Sequence, residues 1–183
     1  MTEPTVVVLC TGNAARSVMA GAMLEALDAP VRVVTAGTHV LEHQPMSIRT
    51  RAALAAVGLE APAHRSHQLT DADVEAATLI VAMEADHVRY VRRRHAAGAD
   101  RTATIGYLVD HLPAGDDPLG ARVARLALAG VAPEHQPQVA DPAGGEDPVY
   151  VSCAVELSRL VDQLLGRLGD ADLVGDAVGD AAG

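Results

Sequence analysis

Residues 5–17 read Thr5-Val6-Val7-Val8-Leu9-Cys10-Thr11-Gly12-Asn13-Ala14-Ala15-Arg16-Ser17. The run of β-branched residues is typical of a buried strand, and this strand ends on Cys10. Gly12 and Asn13 then favour a tight turn, because both residues tolerate left-handed backbone. From Arg16 onward the apolar residues recur with helical spacing. The sequence therefore predicts a strand, a short loop and a helix in direct succession.

The loop at residues 11–15 is predicted to bind an anion. Unpaired amide groups at a helix N-terminus point into such a loop. The planar guanidinium of Arg16 can hold two phosphate oxygens at once. Both features favour the thiolate form of Cys10, which becomes a nucleophile beside the bound anion. The remaining anion-binding candidates are the loop residues and the first helical serine, which can donate a hydrogen bond to the thiolate: Thr11, Gly12, Asn13, Ala14, Ala15 and Ser17.

This stretch allows two further interpretations. The side chain of Asn13 can tether the loop to another part of the chain. The simpler alternative is that Cys10 is a buried cysteine of a strand, because burial is the commonest environment of cysteine. A strand before the loop and Arg16-Ser17 at the start of a helix favour the anion-binding interpretation.

Composition excludes several classes of protein. The chain has 183 residues, and we expect one domain over residues 1–168. A net charge of −10, with no Trp or Phe, argues against a nucleic-acid-binding protein. Neither a membrane span nor a secretory signal is recognisable, and two cysteines are too few for a disulfide framework. We therefore expect a cytoplasmic protein without a membrane partner, of unknown oligomeric state.

Strands and helices alternate along the rest of the chain. Strands are predicted at residues 31–36 and 78–83, with a weaker one at 103–107. Helices are predicted at 47–57, 71–76, 84–97, about 119–129 and 147–168, with Ser47 and Thr70 as N-caps. This alternation predicts a three-layer α/β fold with a four-stranded parallel sheet flanked by helices. Residues 112–138 are expected to be an insertion or an irregular excursion, and residues 169–183 a disordered acidic tail.

The stretch from Leu9 to Gly21, LCTGNAARSVMAG, resembles the signature of the low-molecular-weight protein tyrosine phosphatases and their arsenate reductase relatives. Shorter segments at residues 35–38, 45–47, 63–69, 79–84 and 139–142 are also similar to corresponding parts of that family. The resemblance covers most of residues 5–168 and leaves 112–138 and the tail unmatched. It implies a flavodoxin-like fold.

The resemblance implies hydrolysis of phosphomonoesters through a phosphocysteine on Cys10, with Arg16 binding the phosphate and Asp141 acting as general acid. It also implies that His64 is a second-layer residue that bonds Asn13. Asp147 is the alternative acid, although it more naturally caps the last helix. The expected substrate is a phosphorylated protein, with phosphotyrosine as the residue, or a small aryl phosphate. No cofactor or metal is expected.

Three departures from the family's pattern stand out. Ala15 occupies a position where many relatives carry a second cysteine, so we expect no neighbouring thiol to protect Cys10 from peroxide. Ala143 and Gly144 follow the acid where relatives often carry tyrosines, which predicts a weak grip on a phenyl ring. Val18 replaces a common proline, with a mild expected effect. Arsenate reduction with an external thiol and non-catalytic phosphate binding therefore remain alternatives.

Other chemistry-bearing residues have simpler interpretations. Arginines at 89 and 92–94 form either a solvated helix face or a phosphate-steering patch. Cys153 is most simply a core residue of the last helix. No zinc-site spacing is found among the remaining histidines, which are His39, His43, His87, His95, His111 and His135.

Overall fold

The computed structural model describes residues 3–169. Four parallel strands form one sheet in the order β2-β1-β3-β4. Their bounds are β1 Thr5–Cys10, β2 Arg32–Gly37, β3 Leu79–Ala82 and β4 Thr102–Thr104. The predicted fold class is confirmed, with β2 shifted by one residue.

Helices cover both faces of this sheet. They are α1 Arg16–Ala26, α2 Ile48–Ala56, α3 Asp71–Ala76, α4 Ala85–Arg94, α5 Ile105–His111, α6 Leu119–Ala124 and α7 Asp147–Leu168. On one face Val6, Val8 and Cys10 pack with residues of α1, α5 and α7. On the other, Val7 and Leu9 pack with residues of α3 and α4. Because successive side chains of a strand point to opposite faces, the buried strand β1 contributes to one apolar core on each face of the sheet.

The centre of the sheet determines where a ligand can bind. Strand β1 pairs with β2 on one side and with β3 on the other, so the chain crosses over in opposite directions from β1. Crevices at such a switch point, outside the carboxyl ends of the strands, are the usual ligand sites of open α/β sheets. Cys10 is the last residue of β1 and lies at this point.

Several predicted helix ends are confirmed by their caps. The Ser47 hydroxyl accepts a hydrogen bond from the Thr50 amide at 3.0 Å. Thr70 and Asp73 form a capping box at the start of α3. Helix α7 has the predicted bounds, Asp147–Leu168.

Three element predictions were wrong in extent. The predicted strand at 103–107 ends at Thr104, whose hydroxyl accepts from the Tyr107 amide at 3.3 Å and starts helix α5 instead. The helix predicted at 84–97 stops at Arg94, and a 3-10 helix follows over Ala96–Arg101. The helix predicted at 119–129 ends at Ala124, because Ala127 adopts left-handed backbone with φ 48.

Residues 112–138 are anchored by two arginines. Arg92 of α4 donates to the carbonyl oxygens of Leu128 and Val131 at 2.6 and 2.7 Å. Arg122 is 1% exposed and donates to backbone carbonyls, including that of Asp117 at 2.8 Å. These bonds fix the irregular segment against α4 and the end of α7. The predicted tail beyond Gly169 lies outside the described residues. No helix within residues 3–169 has the length and apolar character of a membrane span.

Candidate active site

The predicted anion loop joins the end of β1 to the start of α1. Asn13 has φ 48, the left-handed backbone that the sequence indicates for this position. Helix α1 begins at Arg16, and its N-cap, Ala15, supplies no side-chain hydrogen bond. The amide groups of the first helical turn are therefore available to an anion at the loop.

Gly37, at the end of β2, lets the loop pack closely against the sheet. A Cβ atom on this glycine would lie 2.6 Å from the Thr11 carbonyl oxygen and 2.9 Å from the Asn13 amide nitrogen. Side-chain carbons do not come that close to backbone atoms, so a larger residue at 37 would displace the loop.

Cys10 lies at the base of the loop, with its side chain oriented by Ser17. Its Sγ is 3.0 Å from the Ser17 Oγ. The Asn13 Nδ2 donates to the same Ser17 Oγ at 2.9 Å, which leaves the hydroxyl hydrogen of Ser17 free to donate to the sulfur. A hydroxyl that donates to sulfur stabilises a thiolate.

Asn13 is fully buried and joins the loop to residues 58–68. The His64 Nε2 bonds the Asn13 backbone oxygen at 2.8 Å. The Asn13 Oδ1 accepts from the His67 amide at 2.9 Å. The structure thus brings His64 to the main chain of Asn13. The side chain of Asn13 is held by the backbone of His67, a contact that was not predicted from the sequence.

Arg16, the predicted phosphate-binding residue, is 1% exposed. One terminal nitrogen donates to Glu84 Oε2 at 2.7 Å and to the Val139 carbonyl at 3.0 Å. The other donates to Asp141 Oδ2 at 2.8 Å. Arg16 therefore joins the first helix to the end of β3 and to the loop at 139–141.

Two acidic residues were candidates for the acid, and the structure separates them. Asp141 lines the same cavity as Cys10. Asp147 does not line it; its Oδ1 accepts from Arg49 Nε at 3.1 Å on the surface. Arg49 also donates to the Gly145 carbonyl at 2.8 Å and to Glu146 at 2.9 Å.

Glu84 and His87 are site residues that sequence reasoning missed. Burial, followed by the charge of nearby Arg16, lowers the pKa of His87 to about 3, so the ring is neutral at pH 7. Its Nδ1 is 3.4 Å from the Met83 amide, which can only donate. The proton therefore sits on Nε2, which is 3.0 Å from the Thr11 Oγ1 and 3.3 Å from Glu84 Oε1. The available signal was an acid two residues after the end of β3 and a histidine one helical turn later.

The cavity above Cys10 is small, at about 120 Å³. Tyr150 is its one aromatic lining residue, and that side chain is buried. Alanines and glycine form much of the wall. The full lining consists of Cys10, Gly12, Ala14, Ala15, Arg16, Ser47, Asp141, Ala143 and Tyr150.

Cys153 is a core residue, as expected. It is 6% exposed, and burial raises its pKa to about 12. Both cysteines are free thiols. Within residues 3–169, no group of three or more His, Cys, Asp or Glu side chains is arranged to hold a metal ion.

Comparisons with known proteins find a matching family and several similar proteins. The family model for low molecular weight phosphotyrosine protein phosphatases matches residues 5–119. The protein-arginine-phosphatase of Geobacillus stearothermophilus is 33% identical over 161 residues, which are 87% of this chain and 93% of that protein. The probable low molecular weight protein-tyrosine-phosphatase EpsP of Ralstonia nicotianae is 32% identical over 56% of this chain and 70% of its own length.

A solved structure extends the likeness to nearly the whole chain. The YwlE arginine phosphatase from Geobacillus stearothermophilus superposes with a TM-score of 0.73 and 28% identity, covering 98% of this chain and 99% of that one. Fold, loop and sequence agree, and the chain belongs to the low molecular weight phosphotyrosine protein phosphatase family of cysteine-dependent phosphatases.

Proposed function

We propose that Cys10 is the nucleophile of a protein phosphatase that works through a phosphocysteine intermediate. The observation that carries the proposal is the position of Cys10 Sγ, which lies 3.0 Å from Ser17 Oγ and lines one cavity together with Arg16 and Asp141. Attack forms a sulfur–phosphorus bond as the bond from phosphorus to the leaving group breaks. Loop amides and Arg16 stabilise the charge on the non-bridging oxygens.

Asp141 acts as the acid and then as the base. It protonates the departing atom in the first step, and in the second it accepts a proton from the water that cleaves the phosphocysteine. Ser17 donates to the sulfur as that atom leaves. Asp141 is 42% exposed at its side chain, so water reaches it.

Phosphate binding exchanges the partners of Arg16. Glu84 and the Val139 carbonyl hold one terminal nitrogen, whereas Asp141 occupies the other. A phosphate dianion at the loop replaces the Asp141 carboxylate on that second nitrogen. This exchange frees Asp141 to face the leaving group while Glu84 keeps the guanidinium in place.

Phosphoarginine is the proposed residue of the substrate. The wall of small side chains offers no exposed ring to stack on a phenyl group, since Ala143 and Gly144 follow Asp141-Pro142. The arginine phosphatase of Geobacillus stearothermophilus also matches 87% of the chain, compared with 56% for EpsP. Phosphotyrosine, the residue first expected, is the second candidate, because the buried Tyr150 still lines the cavity.

A panel of peptides tests the activity and the substrate together. Peptides of one sequence carry phosphoarginine, phosphotyrosine or phosphoserine, and released phosphate is measured. We expect kcat/KM for phosphoarginine to exceed that for phosphotyrosine by about tenfold, and Cys10→Ser to abolish both activities. Faster hydrolysis of phosphotyrosine would refute the substrate assignment. Thiol-dependent arsenate turnover without phosphatase activity would refute the proposed reaction.

We infer a cytoplasmic location from this chemistry. The nucleophile has to remain a reduced thiol, and Ala15 offers no neighbouring cysteine that could protect it. Fractionation of cells that express the full chain, followed by detection with an antibody, checks the location.

A further inference from the structure

One large cavity in the described part of the chain is a groove separate from the cavity above Cys10. It has a volume of about 960 Å³ and runs between the loop that follows β2 and helix α4. We define it by the residues Thr38, His39, Tyr90, Arg93, Arg94 and His95. None of these side chains takes part in the proposed reaction.

Both walls of the groove contact the anion loop. From the β2 side, the Thr38 amide donates to the Cys10 carbonyl at 3.0 Å and the His39 amide to that of Thr11 at 2.9 Å. From the α4 side, His87 bonds the Thr11 hydroxyl at 3.0 Å. Arg94 lies seven residues beyond His87 on α4, which is about 10 Å along the helix axis. The groove therefore leads away from the anion loop over roughly that distance.

The arginines of α4 divide into two kinds. Arg89 pairs with Asp86 and Glu134. Arg92 donates to backbone carbonyls of the irregular segment. Arg93 and Arg94 are exposed in the groove, and neither makes an ion pair with a residue in the 3–169 range. Arg93 and Arg94 are therefore the two arginines of this run that a charged partner can contact.

The groove is a local cationic surface on an acidic protein, whose net charge is −10. One carboxylate lines it, that of Asp71, and this group is bonded to His95 Nδ1 at 2.6 Å. The floor carries the Tyr90 ring, with the His39 and His95 rings at centroid distances of 5.5 and 5.7 Å. An acidic partner is repelled by most of the molecule and attracted here.

We propose that this groove binds an acidic segment of the phosphoprotein substrate, with Arg93 and Arg94 contacting its carboxylates. This inference rests on the proposed phosphatase function. An extended peptide spans about 3.3 Å per residue, so the contacted acidic side chains lie roughly three to five residues from the phosphorylated one. The cavity above Cys10, at about 120 Å³, is much smaller than the groove, and the groove supplies further contact with the polypeptide.

The test compares two phosphopeptides and a small aryl phosphate. One peptide carries Asp or Glu at positions three to five on both sides of the phosphorylated residue, and the other carries Ala there. The double variant Arg93→Glu/Arg94→Glu is expected to lower kcat/KM for the acidic peptide about tenfold through KM. Hydrolysis of the Ala peptide and of the aryl phosphate stays within twofold of the wild-type protein.

A matched control separates a specific contact from general charge. Arg32→Glu/Arg159→Glu changes the net charge by the same amount at exposed arginines outside the groove, and is expected to leave the acidic peptide's KM unchanged. Wild-type preference for the acidic peptide should also decline between low and high salt. If the charge-reversed protein loses activity on the aryl phosphate, Arg93→Gln/Arg94→Gln provides the same comparison with a milder change.

Two results would overturn the inference. The first is an acidic-peptide KM that responds equally to the groove variant and to the control. The second is a change in oligomeric state on sedimentation, without a change in peptide preference, which would assign the groove to a second copy of this chain. Binding of the acidic phosphopeptide to Cys10→Ser protein, measured by fluorescence anisotropy with and without the groove substitutions, tests the surface even if turnover is absent.

Discussion

At the scale of single residues, Arg16 connects the parts of the site that come from distant positions in the chain. Its guanidinium is buried and contacts Glu84 and Asp141, across 68 and 125 residues of sequence. Removing one partner of a buried ion pair leaves the other charge uncompensated. The Glu84 carboxylate is therefore needed to keep Arg16 in place when Asp141 turns to the leaving group.

Glu84→Gln tests this role. The amide preserves size and one acceptor but removes the charge, so we expect kcat to fall about 10- to 100-fold with the fold retained. Steady-state kinetics on an aryl phosphate and a thermal melt measure the two effects. Glu134→Gln, which removes a surface partner of Arg89, is the matched control and should behave as the wild-type protein. An unchanged kcat in Glu84→Gln would refute the role.

His87 makes a second residue-scale prediction, on acid stability. Its pKa is about 3 in the folded protein, compared with 6.5 for an unperturbed histidine. Between these values the unfolded chain binds the extra proton, so the free energy of unfolding falls as pH drops from 6.5 toward 3 and is at its full value above 6.5. The expected contribution is on the order of 3 kcal/mol between pH 7 and pH 4.

Urea unfolding at several pH values compares the wild-type protein with His87→Gln. The variant should lose less stability than the wild-type protein over that interval, because glutamine does not titrate. Desolvation raises the pKa of Asp73, but hydrogen bonds from Thr70 and His67 together outweigh it and lower that pKa. This effect is the same in both proteins and cancels. His135→Gln, at an exposed position, should keep the wild-type slope. Parallel pH profiles for wild type and His87→Gln would contradict the assignment.

At the scale of elements, helix α2 positions the loop that carries Asp141. Arg49 of α2 contacts Gly145, Glu146 and Asp147, just beyond that loop. Arg49→Met should loosen the loop and lower kcat roughly 3- to 10-fold for an alkyl phosphate, which needs protonation of its leaving group. For dinitrophenyl phosphate, whose leaving group needs no acid, the effect should be absent.

Arg51→Met supplies the control for this comparison. Arg51 lies on the same helix and is exposed, and it makes none of the contacts to the acid loop. Equal losses on both substrates in Arg49→Met would indicate general destabilisation and refute a positioning role. The ratio of the two rates is therefore the decisive quantity.

The secondary-structure elements predicted most accurately are those with signals in their own local sequence. Helix α7 has a long apolar stripe at helical spacing, and Thr70 supplies a cap for α3. Helix α5 was missed because its first residue, Ile105, is β-branched and follows a strand, so the pattern continued as β. The turn at Ala127 carries no glycine or asparagine to indicate left-handed backbone.

At the scale of the whole molecule, the site residues divide into those that are close in sequence and those that only the fold brings together. Cys10, Asn13 and Ser17 lie within one loop and helix turn, so their spacing alone indicated an anion site beside a thiol. Glu84 and His87 reach the loop across 68 and 76 residues, through the register of β1 with β3. A single sequence indicates that polar residues follow β3 but not that they contact the loop, and the family resemblance supplied Asp141 and His64 instead.

The phosphocysteine intermediate is the central claim, and rapid mixing with an excess of dinitrophenyl phosphate measures it most directly. We predict a burst of dinitrophenolate close to one equivalent per Cys10, followed by slower turnover, because attack by the thiolate precedes hydrolysis of the phosphocysteine. Asp141→Ala should keep the burst and slow the later phase, and Cys10→Ser should show neither. Turnover without a burst, retained in Cys10→Ser, would contradict the account.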